Sequence, residues 1–254
     1  MESFYLIDTH AHIDMLDNTE EAIQNAINCG VKKIIVPCAY PNDIEKIHNI
    51  AEKYENIYGL LGVHPSEARD WNDSLIEKIK NLANSNKIIG IGEIGLDYYW
   101  DKSFNEAQKD VFIKQIKLSN ELNLPICVHD REAHKDSFDI LKKYNKNSNV
   151  IMHCFSGSVE FARECIKEGW YLALGGVVTF KNAIKMKEVA IDIPLEKLLL
   201  ETDTPYLTPV PYRGKENQPA YVKYVAEEIA KLRNTTFEEI AQITSQNAER
   251  VFKI

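Results

Sequence analysis

Eight short apolar runs recur along this chain, with helical patterns between them. The runs are rich in β-branched residues and nearly continuous in apolar character, as parallel strands buried on both faces are. They are Tyr5–Thr9, Lys33–Val36, Ile57–Val63, Ile88–Glu93, Pro125–His129, Asn149–Cys154, Tyr171–Leu174 and Leu198–Thr202. The pattern therefore predicts eight parallel strands.

The segments between the strands carry apolar residues at helical spacing. In the second connection the apolar stripe consists of Ile44, Ile47, Ala51 and Tyr54. Further helices are predicted over Phe104–Leu122, Ala133–Tyr144, Val159–Glu168, Asn182–Ala190, Ala220–Arg233 and Thr236–Phe252. Gly30 and Gly169 stand where helices should stop, and Thr235–Glu239 has the character of a capping box.

Eight strand–helix units are the number that closes a TIM-type (β/α)8 barrel, an α/β fold. We expect residues 1–254 to form one such domain with extra C-terminal helices, since barrels of this length do not split. A doubly wound sheet also alternates strands and helices, but it usually has a Gly-rich phosphate turn after its first strand. Here that position holds Asp8-Thr9-His10-Ala11-His12.

Composition points to a soluble enzyme, with 44% hydrophobic and 27% charged residues. The five cysteines include no CxxC pair, so the sequence indicates neither a disulfide framework nor a zinc knuckle. No run approaches the ~20 apolar residues of a membrane span, and Met1–Phe4 lacks the basic region of a secretory signal. We therefore predict a cytoplasmic protein without membrane contact or an evident stable protein partner.

The net charge of −8 argues against a broad basic surface for nucleic acid. It leaves room for polyanion chemistry at one small site, because bound divalent cations would reverse the local potential there.

Two histidines, His10 and His12, close the first predicted strand. Residues i and i+2 of a strand point to the same face, so both imidazoles can approach one cation. A neutral imidazole is the commonest metal ligand among side chains. Taken alone, the pair is equally consistent with two histidines hydrogen-bonded inside a core.

The residues at the other strand ends favour metal binding over a hydrogen-bonded pair in the core. In TIM barrels the reacting groups lie at the C-terminal ends of the strands. The chemistry-bearing residues at or just after strand ends are His10, His12, His64, Glu93, His129, His153 and Asp203. Five of the seven histidines therefore gather at one end of the barrel, whereas His48 and His134 fall on predicted helices. This clustering favours a metal centre.

The donor types predict which metals the centre would hold. Glu93 could bridge two divalent cations at the ~3.5–4 Å separation of two-metal sites, which activate a water and stabilise an in-line displacement at phosphorus. Four imidazoles with only Glu93 and Asp203 suit Zn²⁺, Mn²⁺, Co²⁺ or Ni²⁺ better than Mg²⁺, which prefers oxygen ligands. We therefore expect the isolated protein to carry a transition metal.

Six motifs along the chain resemble those of the TatD-type metal-dependent deoxyribonucleases. They are His10–His12, Gly62–Pro65, Gly92–Tyr98, His129–Arg131, His153–Gly157 and Glu201–Tyr206, and Arg213–Asn217 is also typical of that family. The resemblance implies a barrel hydrolase that cleaves phosphodiester bonds in DNA with two divalent metal ions. By the same resemblance, Mg²⁺ is one of the metals expected there. We expect exonucleolytic cleavage that favours single-stranded ends.

The resemblance also implies roles for individual residues. His10, His12 and Asp203 would hold one metal, and His129 and His153 the other, with Glu93 between them. Asp203 would also accept a proton from the attacking water, a role that suits a carboxylate touching both metal and solvent.

Four further residues are candidates for substrate binding: His64, Arg131, Arg213 and Lys215. The planar fork of Arg131 suits a phosphate, whereas His64 has a structural role as its alternative. Arg213 and Lys215 follow strand eight, where phosphate sites often occur in this fold, but a solvated loop would look the same.

Asp97, Tyr98, Tyr99 and Trp100 follow Glu93. Aromatic side chains there either stack on an unpaired base or pack at the mouth of the barrel.

Two other functions compete with the nuclease. One is a hydrolase of small esters, amides or lactones on the same scaffold; the closest such relatives use a modified lysine at strand four, where this chain has Glu93. The other is a metal-binding scaffold without turnover.

Overall fold

A computed structural model describes residues 4–146 and 149–254 of the chain. The expectation about a secretory signal rests on Met1–Phe4, and the first three of these residues lie outside the described part.

Eight parallel strands follow one another around a single sheet in chain order. They are β1 (Leu6–Asp8), β2 (Val31–Pro37), β3 (Ile57–Leu61), β4 (Ile88–Asp97), β5 (Ile126–Arg131), β6 (Val150–Met152), β7 (Tyr171–Leu174) and β8 (Leu198–Leu200). The predicted barrel is confirmed, and most strand ends fall within two residues of their predicted positions.

Within the described ranges, one α-helix connects each strand to the next, and two more follow β8. They are α1 (Thr19–Asn28), α2 (Ile44–Lys53), α3 (Ser74–Leu82), α4 (Asn105–Leu122), α5 (His134–Tyr144), α6 (Val159–Lys167), α7 (Ile184–Asp192), α8 (Val222–Arg233) and α9 (Phe237–Phe252). Gly30 and Gly169 both adopt positive φ after helices, and Thr236 caps α9 by accepting a hydrogen bond from the backbone N–H of Glu239. These signals from the sequence are confirmed.

The interior of the barrel is a buried apolar cluster to which every strand contributes. Its strand residues are Ile7, Ile35, Leu60, Ile89, Cys127, Ile151, Tyr171, Ala173 and Leu199. Ala248, Val251 and Phe252 of α9 complete the same cluster. The C-terminal helix is therefore part of the barrel's packing, because without it these strand residues would lose apolar contacts.

The seam between β1 and β8 is closed by the residues that follow the two strands. The Thr9 N–H donates to Leu200 O at 3.0 Å, the Asp203 N–H donates to His10 O at 2.9 Å, and the His12 N–H donates to Thr204 O at 2.9 Å. The backbone that carries the candidate ligands His10, His12 and Asp203 is thus held in register by the closure itself.

Strand β4 differs from its prediction, because it runs four residues beyond Glu93 to Asp97. Its pairing with β5 shifts register between Ile91 and Ile94 and then continues, with Gly95 opposite His129. Gly95 has a φ of +145°, and a Cβ there would lie 1.9 Å from His129 O. Only glycine fits this close approach, which the hydrophobic pattern alone does not reveal.

Among residues 4–146 and 149–254, no helix is long and apolar enough to cross a membrane.

We predict that Thr202→Val destabilises the fold by about 1–3 kcal/mol, because it leaves a buried hydrogen-bonded group without its partner. The Thr202 hydroxyl donates to Asp8 Oδ2 at 2.6 Å across the seam, and the Thr202 N–H donates to Asp8 Oδ1 at 3.0 Å. The free energy of unfolding from urea titration measures the effect. Thr235→Val is the control, since its hydroxyl bonds only the exposed Glu239 and its loss should cost less than about 0.5 kcal/mol. Equal costs for the two variants would contradict the importance of the seam.

Candidate metal centre

The strand ends bring all six predicted metal ligands together at the C-terminal end of the barrel. Five of them line a cleft of about 680 Å³: His12, Glu93, His129, His153 and Asp203. His10 is fully buried directly behind, with its ring stacked on His153 at a centroid distance of 3.7 Å.

The carboxylate of Glu93 lies between two sets of imidazoles. Its Oε2 atom is 3.4 Å from His10 Nε2 and 3.4 Å from His12 Nε2. Its Oε1 atom is 2.7 Å from His129 Nδ1 and 2.9 Å from His153 Nε2. One oxygen therefore faces each set, which is the arrangement of a carboxylate that can bridge two cations.

The distances between the ligand atoms of His10, His12, Glu93 and Asp203 fit a metal ion bound among them. The two Nε2 atoms lie 3.3 Å apart, and Asp203 Oδ1 is 3.9 Å from each of them. A tetrahedral metal with bonds of ~2.0–2.1 Å holds its ligand atoms ~3.4 Å apart, so only small adjustments of these side chains are needed. Two imidazoles and two carboxylate oxygens are also a donor set that transition metals accept.

Burial lowers the pKa values of His12, His129 and His153, but the facing carboxylates outweigh it and raise all three, that of His129 to about 9. Protons on these rings therefore balance the charge of Glu93 when no cation is bound.

Burial tends to raise the pKa of Glu93, but the facing imidazoles of His153 and His64 outweigh it, and the pKa lies well below its usual range. Burial lowers the pKa of His10 well below its usual value, so this ring is the neutral form that binds metal. Burial also raises the pKa of Asp203 to about 6.

Two carboxylates hold the outer sides of the second imidazole set. Asp97 Oδ2 lies 3.0 Å from His129 Nε2, and Glu201 Oε1 lies 3.5 Å from His153 Nδ1. The hydrogen bond with Asp97 keeps the proton of His129 on Nε2 and leaves Nδ1 free for a metal, whereas Glu201 approaches His153 Nδ1 without forming a hydrogen bond. Sequence reasoning missed both roles, although both residues stand inside the quoted motifs. The continuation of β4 is the signal that was needed for Asp97.

His10 has a thiol rather than a carboxylate as its outer partner. Its Nδ1 atom lies 3.4 Å from Cys127 Sγ, and burial raises the pKa of that cysteine well above its usual value. All five cysteines are free.

His64 lies near the second set but is oriented as a hydrogen-bond donor. It could join Glu93 and His129 in a three-residue metal group by distance alone. However, the Ser66 N–H donates to His64 Nδ1 at 3.1 Å, so the proton of the neutral ring is assigned to Nε2. Burial and the adjacent His129 lower the pKa of His64 to about 3, which keeps the ring neutral. Its Nε2–H therefore faces Glu93 Oε1, 3.6 Å away, and the cleft.

The residues after Glu93 divide into separate roles. Asp97 supports His129, and Tyr98 packs against the core with its hydroxyl donating to Asp136 Oδ2 at 2.8 Å. The guanidinium of Arg131 lies 3.8 Å from the centroid of the Tyr99 ring. Trp100 lines the cleft with 73% of its surface exposed, so its ring is free to contact a ligand.

The structure separates the four candidate substrate residues into two groups. His64 and Arg131 line the cleft together with the ligands. Arg213 and Lys215 lie farther out on the β8–α8 loop, where the Arg213 guanidinium covers the Phe180 ring at 3.8 Å.

Comparison with known proteins identifies the family. The profile described as "TatD related DNase" matches residues 7–253. The chain belongs to the TatD-related DNase family. It is therefore a metal-dependent hydrolase, in agreement with the resemblance seen in its motifs.

Relatives of this family align with nearly the whole chain. The uncharacterized metal-dependent hydrolase YabD of Bacillus subtilis is 49% identical over 98% of this chain and 99% of its own length. The uncharacterized metal-dependent hydrolase YcfH of Escherichia coli is 36% identical over 98% of this chain and 96% of its length. The crystal structure of the TatD homologue YjjV from Escherichia coli superposes with a TM-score of 0.93 at 31% identity, covering 98% of both chains.

We predict that Asp97→Asn weakens metal binding about 10–100-fold, the usual cost of losing an outer partner of a ligating histidine. Calorimetric titration of metal-stripped protein with Mn²⁺ or Zn²⁺ measures the dissociation constants directly. Asp101→Asn is the matched control, because Asp101 is exposed and pairs with Arg69 at 3.3 Å away from the centre. Equal affinities in the two variants would show that Asp97 does not support the metal site.

Proposed function

We propose that this protein is a divalent-metal-dependent deoxyribonuclease that hydrolyses phosphodiester bonds, acting as an exonuclease on single-stranded ends. The observation that carries the proposal is the division of Glu93 between two imidazole sets, with Oε2 toward His10 and His12 and Oε1 toward His129 and His153. The family match to TatD-related DNases supports the choice of a phosphodiester substrate.

In this proposal His10, His12 and Asp203 would hold one cation and His129 and His153 a second, with Glu93 available to both. The cations would supply Lewis-acid activation of a water and stabilisation of the charge that develops on the phosphoryl oxygens. Family resemblance favours Mg²⁺, whereas the nitrogen-rich donor set favours Zn²⁺, Mn²⁺, Co²⁺ or Ni²⁺.

Asp203 is the carboxylate placed to take the proton of the attacking water. Its side chain is 15% exposed, whereas that of Glu93 is only 4% exposed. Asp203 also lines the cleft, where substrate and water enter. A base must reach both the reacting water and the solvent that finally receives the proton.

His64 and Arg131 are suited to hold the phosphate. The His64 Nε2–H faces the cleft as a fixed donor, and the Arg131 guanidinium supplies a planar fork for two phosphoryl oxygens. The exposed Trp100 ring beside them offers a stacking surface for one unpaired base. These features favour a single strand over a duplex, whose bases are already stacked.

Digestion of end-labelled single- and double-stranded DNA during metal titration tests the proposal. We expect stepwise shortening of the single strand that requires added divalent metal, stops with excess chelator, and falls at least about 10²-fold in Asp203→Asn, because a general base contributes that much. Asp17→Asn, an exposed carboxylate of the β1–α1 loop, should keep the activity of the unaltered protein.

Other outcomes would identify the competing functions. Turnover of p-nitrophenyl acetate or lactones without turnover of DNA or bis-p-nitrophenyl phosphate would indicate an ester or lactone hydrolase. Metal binding without turnover of any of these substrates would indicate a scaffold. Either result would contradict the nuclease.

A further inference from the structure

The loops around the mouth of the barrel differ in charge from one side to the other. On the β1–β3 side, the connections 9–18, 38–43 and 62–73 contain six carboxylates and one cation: Asp14, Asp17, Asp43, Glu67, Asp70, Asp73 and Arg69. On the β7–β8 side, the connections 175–183 and 201–221 contain three cations, Lys181, Arg213 and Lys215, and one carboxylate, Glu216, besides Glu201 and Asp203 of the candidate metal centre. Lys185, Lys187 and Glu188 follow at the start of α7. A chain with net charge −8 therefore concentrates positive charge on one side of its cleft.

The acidic side reaches the wall of the cleft itself. Tyr40 lines the cleft on this side, and its pKa is raised by burial and then by the nearby carboxylates of Glu67 and Asp43. A polyanion passing over Tyr40 would meet this negative charge at short range.

Four of the five cations on the other side are exposed and form no salt bridge among the described residues. Lys187 pairs with Glu228 at 3.5 Å, but Lys181, Lys185, Arg213 and Lys215 form no ion pair within 4.0 Å in the part of the chain that the structure describes. Arg213 rests on the Phe180 ring, the residue before Lys181, so the two loops are in contact. These side chains can therefore meet phosphates without first breaking a salt bridge.

The β8–α8 loop is fixed to the cleft by buried hydrogen bonds. The side-chain amide of Asn217, which is 1% exposed, donates to Thr202 O at 2.9 Å and to Tyr206 O at 2.6 Å. The Thr208 hydroxyl donates to Lys215 O at 2.6 Å. Because Tyr206 also lines the cleft, these bonds hold the loop that carries Arg213 and Lys215 against the cleft.

We propose that a polynucleotide whose end occupies the cleft leaves it across the β7–β8 side, with its phosphates contacted by Lys181, Lys185, Arg213 and Lys215. Cations spread over two adjoining loops suit a flexible strand with regularly spaced charges. This inference rests on the proposed function, because it assumes a DNA substrate.

On the β1–β3 side, Lys46 pairs with Asp14 at 3.0 Å and Lys114 with Asp73 at 3.1 Å. The carboxylates without an ion pair among the described residues, Asp17, Asp43, Glu67 and Asp70, disfavour the opposite path.

Salt-dependent binding tests the path. The probe is a fluorescein-labelled single-stranded oligonucleotide of twelve nucleotides with slowly hydrolysed phosphorothioate linkages, bound to the metal-loaded protein and followed by anisotropy. Each phosphate contact on a single strand contributes ~0.7 to the slope of log affinity against log salt concentration, so replacing all four cations by alanine should lower that slope by about 2–3.

The matched control removes the same charge from the opposite end of the barrel: Lys32, Lys143, Lys167 and Lys253, all exposed. It should leave the slope within about 0.7, one contact's contribution. Thermal melting confirms that both variants fold. The proposed path would be wrong if both variants changed the slope equally, or if the four-cation variant lowered it by less than about 0.7. Continued DNA hydrolysis by the unaltered protein would show that the proposed function still stands. If the unaltered protein neither bound nor cleaved DNA, the proposed function would fail, and this inference with it.

Discussion

The buried negative charge of Glu93, beneath the cleft, must be balanced, and the arrangement of the other residues of the centre follows from this requirement. Glu93 is 3% exposed, and no lysine or arginine among the described residues pairs with it. An isolated buried anion costs several kcal/mol, so its charge must be met by protonated imidazoles or by bound cations. Four histidines surround it, and the pKa values of three of them, His12, His129 and His153, are raised by the facing carboxylates. A metal ion bound there would displace the protons of these rings and take over their charge.

Placing Glu93 there depends on how β4 and β5 run side by side. The close approach at Gly95 lets β4 continue past Glu93, so that one strand delivers both the shared carboxylate and Asp97. On the opposite side, the seam between β1 and β8 fixes His10 and Asp203 by a backbone hydrogen bond of 2.9 Å. The closure of the barrel therefore fixes the backbone of the candidate ligands that follow β1 and β8.

The sequence was sufficient for the barrel and for the gathering of the ligands, because strand periodicity and strand-end position are local properties. It was insufficient for Asp97 and Glu201. The position of Asp97 beside His129 depends on the register shift in β4, and that of Glu201 on its approach to the His153 ring. It also left open whether His64 binds substrate or has a structural role; the hydrogen bond from the Ser66 N–H assigns the ring proton to Nε2, and the substrate role stays a prediction. The substrate-binding roles of Arg131, Arg213 and Lys215 stay predictions, since exposure and free charge permit them without requiring them.

Anomalous X-ray diffraction from crystals grown with Mn²⁺ tests the central claim most directly, because it locates each cation independently of activity. The account predicts two peaks on opposite sides of the Glu93 carboxylate, one bounded by His10, His12 and Asp203 and the other by His129 and His153. A single peak, or peaks that do not contact Glu93, would contradict a carboxylate shared between two metal sites.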